Sequence, residues 1–219
     1  MNMIKTFSRY IIAISSLILI SCSGTLKDQD GNILKMTRIG DMVWMSENLN
    51  VSHFRNGDEI PQAKSPEEWA RMGIEGKPAW CYGLNNPENS NKYGRLYNWY
   101  AVNDPRGIAP KGWHVASDEE WTQFIDLLGD EVLAAMFMRG PGLSEKGNKS
   151  GNTGFKFPPA GARDRNGGYL NTGSHGYWWS ATEVSDSDAW GRLLNYVQCN
   201  IYSIGYAKTA GFSVRCIRD

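Results

Sequence analysis

The first half of the chain contains segments in which apolar residues recur every three or four positions after a helix-capping sequence. Ser117 and Glu120 can form a capping box, and the apolar positions that follow are Trp121, Phe124, Ile125 and Leu128. Ser65 and Glu68 give a similar start to a helix that would end at Gly73. We therefore predict two capped helices, a shorter apolar helix over 132–138 and an aromatic helix over 92–103.

The second half has a different pattern, in which bulky residues alternate with polar ones between glycine-rich turns. It predicts strands at 177–180, 193–202 and 212–217, with a hairpin turn at Asn166-Gly167. A further hairpin is predicted over 28–45, and turn-rich loops over 77–91 and 139–152. Helices in the first half and strands in the second predict an α+β fold with short helices on small antiparallel sheets and long loops.

The N-terminal residues have the pattern of a secretory signal. Lys5 and Arg9 precede an apolar stretch over 10–20, which is too short to span a membrane. Leu19-Ile20-Ser21-Cys22 resembles a bacterial lipobox, in which cleavage precedes the cysteine. We therefore expect a lipoprotein signal peptide at 1–21, a linker lipidated on Cys22 at 22–27, and one domain at 28–219.

The expected location follows from this signal. The lipid on Cys22 would make the membrane a partner and would place the protein in the cell envelope, at the outer membrane. Residues 23–26 lack the acidic run associated with surface export in some Bacteroidetes lipoproteins, so the membrane face stays open.

Charge and composition exclude two broad classes of protein. Basic and acidic residues number 23 each, which argues against a nucleic-acid partner held by bulk basicity. With 41% hydrophobic and 21% charged residues, the chain is too apolar for an intrinsically disordered protein. Nine tryptophans are many for 219 residues, and they indicate either an aromatic core or an aromatic binding surface.

Cysteine usage leaves one candidate disulfide. Without Cys22, the odd number of cysteines leaves at least one thiol unpaired or joined to another molecule. Cys199 and Cys216 are the candidate pair, because both fall in the predicted terminal strands. No Cys-x-x-Cys spacing occurs, so a zinc or thioredoxin-like site is not indicated.

Six ordered motifs together carry a family resemblance. They are IGDMVWMSENL (39–49), YGRLYNWYAV (93–102), GWHV (112–115) with SDEEW (117–121), PAGAR (159–163), GYWWSAT (176–182) and GFSVRCIRD (211–219). This series resembles the Fibrobacter succinogenes major paralogous domain over nearly the whole mature chain. The resemblance implies a secreted or lipid-anchored bacterial domain with a C-type lectin-like fold, and it implies no established activity.

Comparison with better-understood relatives of that fold argues against two functions, formylglycine generation and calcium-dependent sugar binding. The last motif distantly resembles formylglycine-generating enzymes, but their closely spaced cysteine pair is missing here. The calcium- and sugar-binding motifs of lectins are also missing, so calcium is not supported by motif and we expect no cofactor. Asp28, Asp30 and Asn32 resemble the start of a calcium loop, but Ile33 replaces the required glycine, which favours a plain turn.

Aromatic residues beside polar ones are the remaining candidates for a ligand site. Trp190 with Arg192 and Asn195 is the preferred strand, because polar groups next to an aromatic ring orient a ligand. The other candidates in the predicted strands are Tyr177, His175 and Tyr202, and Trp80 is a further candidate in the loop over 77–91. Trp44, Trp99, Trp113 and Trp121 are predicted to lie in the core, and His114 to be structural.

These observations favour a binding protein over an enzyme, since none of the three histidines lies in a catalytic or metal motif. We expect an envelope lipoprotein that binds a glycan or a protein. One alternative is an enzyme acting on envelope polysaccharide or protein through Asp118, Glu119 or Asp164. Another is a structural subunit of a surface assembly.

Overall fold

A computed structural model describes residues 26–140, 155 and 157–219. The predicted signal peptide, Cys22 and most of the predicted loop over 139–152 lie outside these residues. None of the helices in the described part is long and apolar enough to cross a membrane.

One four-stranded sheet brings the two ends of the domain together. Its strand order is β1 (Met36–Ile39), β2 (Met42–Met45), β12 (Cys216–Arg218) and β5 (Trp113–Val115). All neighbours are antiparallel, and Ile217 of the last strand pairs with both Trp44 and His114. The C-terminal strand is therefore an inner strand of this sheet.

A second four-stranded sheet carries most of the predicted ligand candidates. Its order is β10 (Asn200–Ala207), β9 (Asp188–Asn195), β8 (His175–Glu183) and β11 (Ser213–Val214). The first three strands form an antiparallel meander, and β11 adds to β8 in parallel. The strand predicted at 177–180 is thus confirmed, as part of β8.

The remaining elements are short. Two strand pairs are β3 (Trp80–Tyr82) with β4 (Arg95–Tyr97), and β6 (Ala162–Arg163) with β7 (Tyr169–Leu170). The helices are α1 (Pro66–Ile74), α2 (Ser90–Tyr93), α3 (Trp99–Val102), α4 (Asp118–Leu127) and α5 (Glu131–Arg139). The fold is therefore a mixed one of several small, mainly antiparallel sheets and a few short helices.

The two predicted capping boxes are confirmed. Ser65 and Glu68 exchange hydrogen bonds at the start of α1, and Ser117 and Glu120 do the same at the start of α4. The predicted aromatic helix over 92–103 is wrong, because its middle forms β4. Gly94, with φ of 73°, ends α2 and turns the chain, and the following residues pair with β3.

Two other predicted strands are interrupted. The segment 193–202 turns after Asn195, whose side-chain oxygen accepts the N–H groups of Val197 and Gln198 at 2.9 and 3.0 Å. The segment 212–217 breaks at Arg215, whose guanidinium is fully buried and donates to the Met45 carbonyl oxygen.

Burial accounts for the tryptophan content. Eight of the nine tryptophans are buried, and Trp190 is half-buried. The predicted core positions are thus confirmed, whereas the prediction of Trp80 as an exposed loop residue is wrong. Trp80 lies in β3, and its indole N–H donates to the Ile60 carbonyl oxygen at 2.8 Å. The aromatic excess is therefore mainly a property of the core.

The candidate disulfide is not formed. Cys81, Cys199 and Cys216 are all free thiols. Cys216 pairs with Val115 inside the first sheet, whereas Cys199 lies in the turn between β9 and β10, so the two side chains belong to different parts of the core. Burial raises the pKa of Cys216 to about 12, which keeps that thiol protonated and unreactive.

Candidate functional site

Cross-strand pairing places four of the six predicted ligand residues on one face of the second sheet. Successive side chains of a strand point to opposite faces, and directly paired residues share a face. His175 pairs with Asn195, which also pairs with Asn200, while Tyr177 and Tyr202 both pair with Leu193. We call this surface the tyrosine face, defined as His175, Tyr177, Asn195, Asn200 and Tyr202.

Aromatic rings lie next to amide groups at two places on the tyrosine face. The His175 ring stacks on Tyr177 with centroids 6.2 Å apart, and the Asn171 amide donates to the Tyr177 hydroxyl at 2.8 Å. The Asn200 amide donates to the Tyr202 hydroxyl at 3.1 Å. Tyr202 is 43% exposed, whereas Tyr177 is buried. The face therefore offers one accessible ring, Tyr202, with amides beside it.

The other two predicted ligand residues, Trp190 and Arg192, lie on the opposite face of the sheet. Arg192 is only 2% exposed and forms an ion pair with the Asp118 carboxylate. It also donates to the hydroxyls of Ser203 and Thr122 at 2.6 and 3.0 Å. Arg192 therefore holds α4 against the sheet, and its guanidinium is occupied by these contacts. Trp190 is half-buried on the same side as Arg192.

A surface cleft lies near the start of α4, away from the predicted site. It has a volume of about 640 Å³, and its polar lining comes from Arg55, His114, Ser117, Glu119, Glu120 and Gln123. Apolar residues such as Val102, Ile108 and Val115 complete the lining. No pattern in the sequence pointed to Arg55, because its neighbours in the cleft are 47 or more positions away along the chain.

His114 is held in the cleft by two carboxylates. Its Nε2 lies 2.7 Å from the Glu120 carboxylate, and its Nδ1 lies 2.8 Å from the Asp219 carboxylate. Burial opposes charge on the ring, but the hydrogen bonds to Asp219 and Glu120 outweigh it and raise the pKa of His114. The structural role predicted for His114 is consistent with this clamp, which joins β5 to α4.

The three carboxylates considered for catalysis differ in availability. Asp118 is committed to Arg192, and Asp164 accepts the backbone N–H groups of Asn166 and Gly168 at 2.8 and 2.9 Å in the turn after β6. Glu119 is exposed in the cleft and, among the described residues, accepts a long contact of 3.4 Å from Gln123. Two of the three are thus engaged in structural hydrogen bonds.

The segment that resembles a calcium loop is a turn. The Asp28 carboxylate accepts the N–H groups of Asp30 and Asn32 at 3.0 and 2.9 Å, which occupies its oxygen atoms. The Asp30 carboxylate is bound to Ser52 and His53. Within 26–140, 155 and 157–219, no three His, Cys, Asp or Glu side chains group closely enough to hold a metal ion.

Comparison with known proteins gives one result at the level of family. No curated protein matches the chain. The model of a family described as the Fibrobacter succinogenes major domain matches residues 37–218, from β1 to β12. This span contains the tyrosine face and the cleft. Because the match covers well over half of the chain, the protein belongs to the Fibrobacter succinogenes major domain family.

Proposed function

We propose that this protein is a lipid-anchored binding protein of the cell envelope, that its domain has a C-type lectin-like fold, and that the tyrosine face recognises a glycan. The observation that carries the proposal is the exposed ring of Tyr202 beside the Asn200 amide, on the same sheet face as the stacked pair His175 and Tyr177. The sheet that joins the two ends of the domain is the feature that supports the lectin-like fold.

The chemistry of a glycan suits this surface. A pyranose ring has an apolar face of C–H groups that can pack on an aromatic ring, and its hydroxyls can exchange hydrogen bonds with amides and phenols. Asn200 supplies an amide next to the ring, and Asn171 supplies another beside Tyr177. A protein partner would instead be expected to need a larger exposed apolar patch.

The ring of Tyr202 provides the direct test. Glycan arrays probed with residues 28–219 should reveal one class of ligand, and Tyr202→Ala should weaken its binding about three- to tenfold through loss of ring contact. Tyr202→Phe keeps the ring and should retain most of the affinity. Ile74→Ala, at an exposed position in α1, is the matched control.

Two outcomes would contradict the glycan proposal. One is a folded protein that binds no glycan but captures a protein in a pull-down from envelope extract. The other is glycan binding that Tyr202→Ala leaves unchanged, since the ligand would then lie elsewhere.

The anchor is tested separately. Cells that express the full chain should incorporate a labelled fatty acid into the protein, and Cys22→Ser should abolish the label and release the protein from the membrane fraction. Retention of the label in Cys22→Ser would refute lipidation at this residue.

The same contacts weigh against the enzyme alternative. Asp118 and Asp164 are held by Arg192 and by backbone N–H groups, so neither is available to transfer a proton without breaking a structural contact. Loss of a hydrolytic activity on envelope polysaccharide in Glu119→Gln would reverse this preference.

A further inference from the structure

We propose that the cleft near α4 binds a small zwitterion, namely a short peptide whose free carboxylate contacts Arg55 and whose free ammonium group contacts Glu119. This site is separate from the tyrosine face and does not depend on the glycan proposal. Four observations support it: the fixed position of Arg55, the lack of a cationic partner for Glu119 among the described residues, the engagement of His114 and Glu120 with each other, and the size of the cleft.

Arg55 is fixed in place by part of its guanidinium. Its Nε donates to the Ala109 carbonyl oxygen at 2.9 Å, and its Nη2 donates to the Trp113 carbonyl oxygen at 3.0 Å. No acidic side chain in the described part of the chain pairs with it. Nη1 therefore remains to donate to a ligand from a preorganised group.

The backbone beside Arg55 leaves room for the guanidinium. Gly107 has φ of 75°, a conformation that favours glycine, and a Cβ there would lie at van der Waals distance, 3.4 Å, from the Arg55 Cζ. The Gly107 carbonyl oxygen also accepts the Arg55 backbone N–H at 2.7 Å. A glycine at this position thus suits both the turn and the close approach of the side chain.

Glu119 supplies the opposite charge. It lies in the first turn of α4, and no cation among the described residues forms an ion pair with it. Its neighbour Glu120 is different, because that carboxylate accepts from the Ser117 backbone and hydroxyl and from His114. Glu119 is therefore the carboxylate of the cleft that is free to accept from a ligand.

The charges in the cleft indicate the class of ligand. His114 is engaged with the Glu120 and Asp219 carboxylates, so Arg55 and Glu119 are the charged groups of the cleft lining that have no ion-pair partner among the described residues. A ligand with a single charge would satisfy only one of them, whereas a zwitterion satisfies both. A volume of about 640 Å³ lies in the range of small-molecule sites, and the apolar lining at Val102 and Ile108 suits a side chain.

A dipeptide and two derivatives, each with one terminus blocked, test this arrangement. Alanyl-leucine is titrated into the isotopically labelled protein, and NMR chemical-shift changes of the backbone amides locate the site. A highest concentration of about 10 mM is enough to detect dissociation constants near 1 mM. We expect shifts at Gly107 and around Glu119. The N-acetyl and C-amide derivatives should each bind about tenfold more weakly, because each lacks one charged group.

Charge-removing variants assign each end of the peptide. In Arg55→Gln the preference for the free carboxylate over the amide should disappear while the preference for the free ammonium group stays. Glu119→Gln should do the reverse. Arg165→Gln and Glu131→Gln, at exposed positions outside the cleft, are the matched controls and should retain both preferences.

Three results would overturn the proposal. They are the absence of any shift around the cleft at the highest concentration, equal binding of all three peptides, and binding of acetate as tight as that of the dipeptide, which would indicate a simple anion site at Arg55. Thermal unfolding of each variant shows that the protein is folded, so a negative result is informative.

Discussion

Asn48 links parts of the chain that are far apart in sequence, and its removal gives the sharpest test of the fold. Its amide nitrogen donates to the Tyr93 carbonyl oxygen at 2.8 Å and to the Ser213 hydroxyl at 3.1 Å. Its oxygen accepts from the Trp178 indole and from the Arg215 Nε, both at 2.9 Å. The side chain is buried, and its partners are 45 to 167 positions away.

Asn48→Ala leaves two buried donors, those of Trp178 and Arg215, without an acceptor. An orphaned buried polar group costs about 1–3 kcal/mol, so we expect a loss of about 4 kcal/mol in the free energy of unfolding. Typical domains have only about 5–15 kcal/mol in total. For a chain of this size, 4 kcal/mol lowers the Tm by about 8–16 °C.

The measurement is thermal and urea unfolding followed by circular dichroism, with Asn91→Ala as the control. Asn91 is exposed on α2, and its substitution should change stability by less than about 0.5 kcal/mol. A loss below about 1 kcal/mol in Asn48→Ala, with an unchanged denaturant slope, would show that these hydrogen bonds do not hold the sheets together.

Three further predictions concern pH, backbone strain and thiol accessibility. Because the pKa of His114 is raised above its ordinary 6.5, the clamp stabilises the fold at lower pH and loses this effect as pH rises above 6.5 and through the folded-state pKa. His114→Gln should therefore flatten the fall of Tm above that pH. Gly167→Ala should lower the free energy of unfolding, measured in urea, by at least about 2 kcal/mol, because φ is 88° and the new Cβ would lie 2.4 Å from the Pro66 Cα. Gly173→Ala has open space around the new Cβ and should lower it by less. A thiol reagent should label the native domain at the partly exposed Cys199 and should reach the two buried cysteines only after unfolding. Labelling of fewer than three thiols in the unfolded, unreduced protein would instead indicate a disulfide.

The predicted elements that proved correct depend on short-range contacts. The capping boxes at Ser65 and Ser117 need only a partner three residues away, and the turn at Asn166-Gly167 is closed by the nearby Asp164 side chain. The segment 92–103 failed because its aromatic residues suit both a helix and a strand. Pairing with β3 decided in favour of a strand, and that partner is not adjacent in sequence.

The sequence alone determined the family, through six ordered motifs. It also determined that the fold mixes helices and strands, where the main helices start, and which tryptophans lie in the core, for most of them. These features depend on local spacing and on the hydrophobicity of single residues, which the sequence displays directly. Only the tertiary structure decided that Arg192 is an internal ion pair rather than a ligand contact, and that Arg55 and Glu119 share a cleft. Such roles depend on which distant residues approach in space and on how much water each charge retains, and spacing along the chain determines neither.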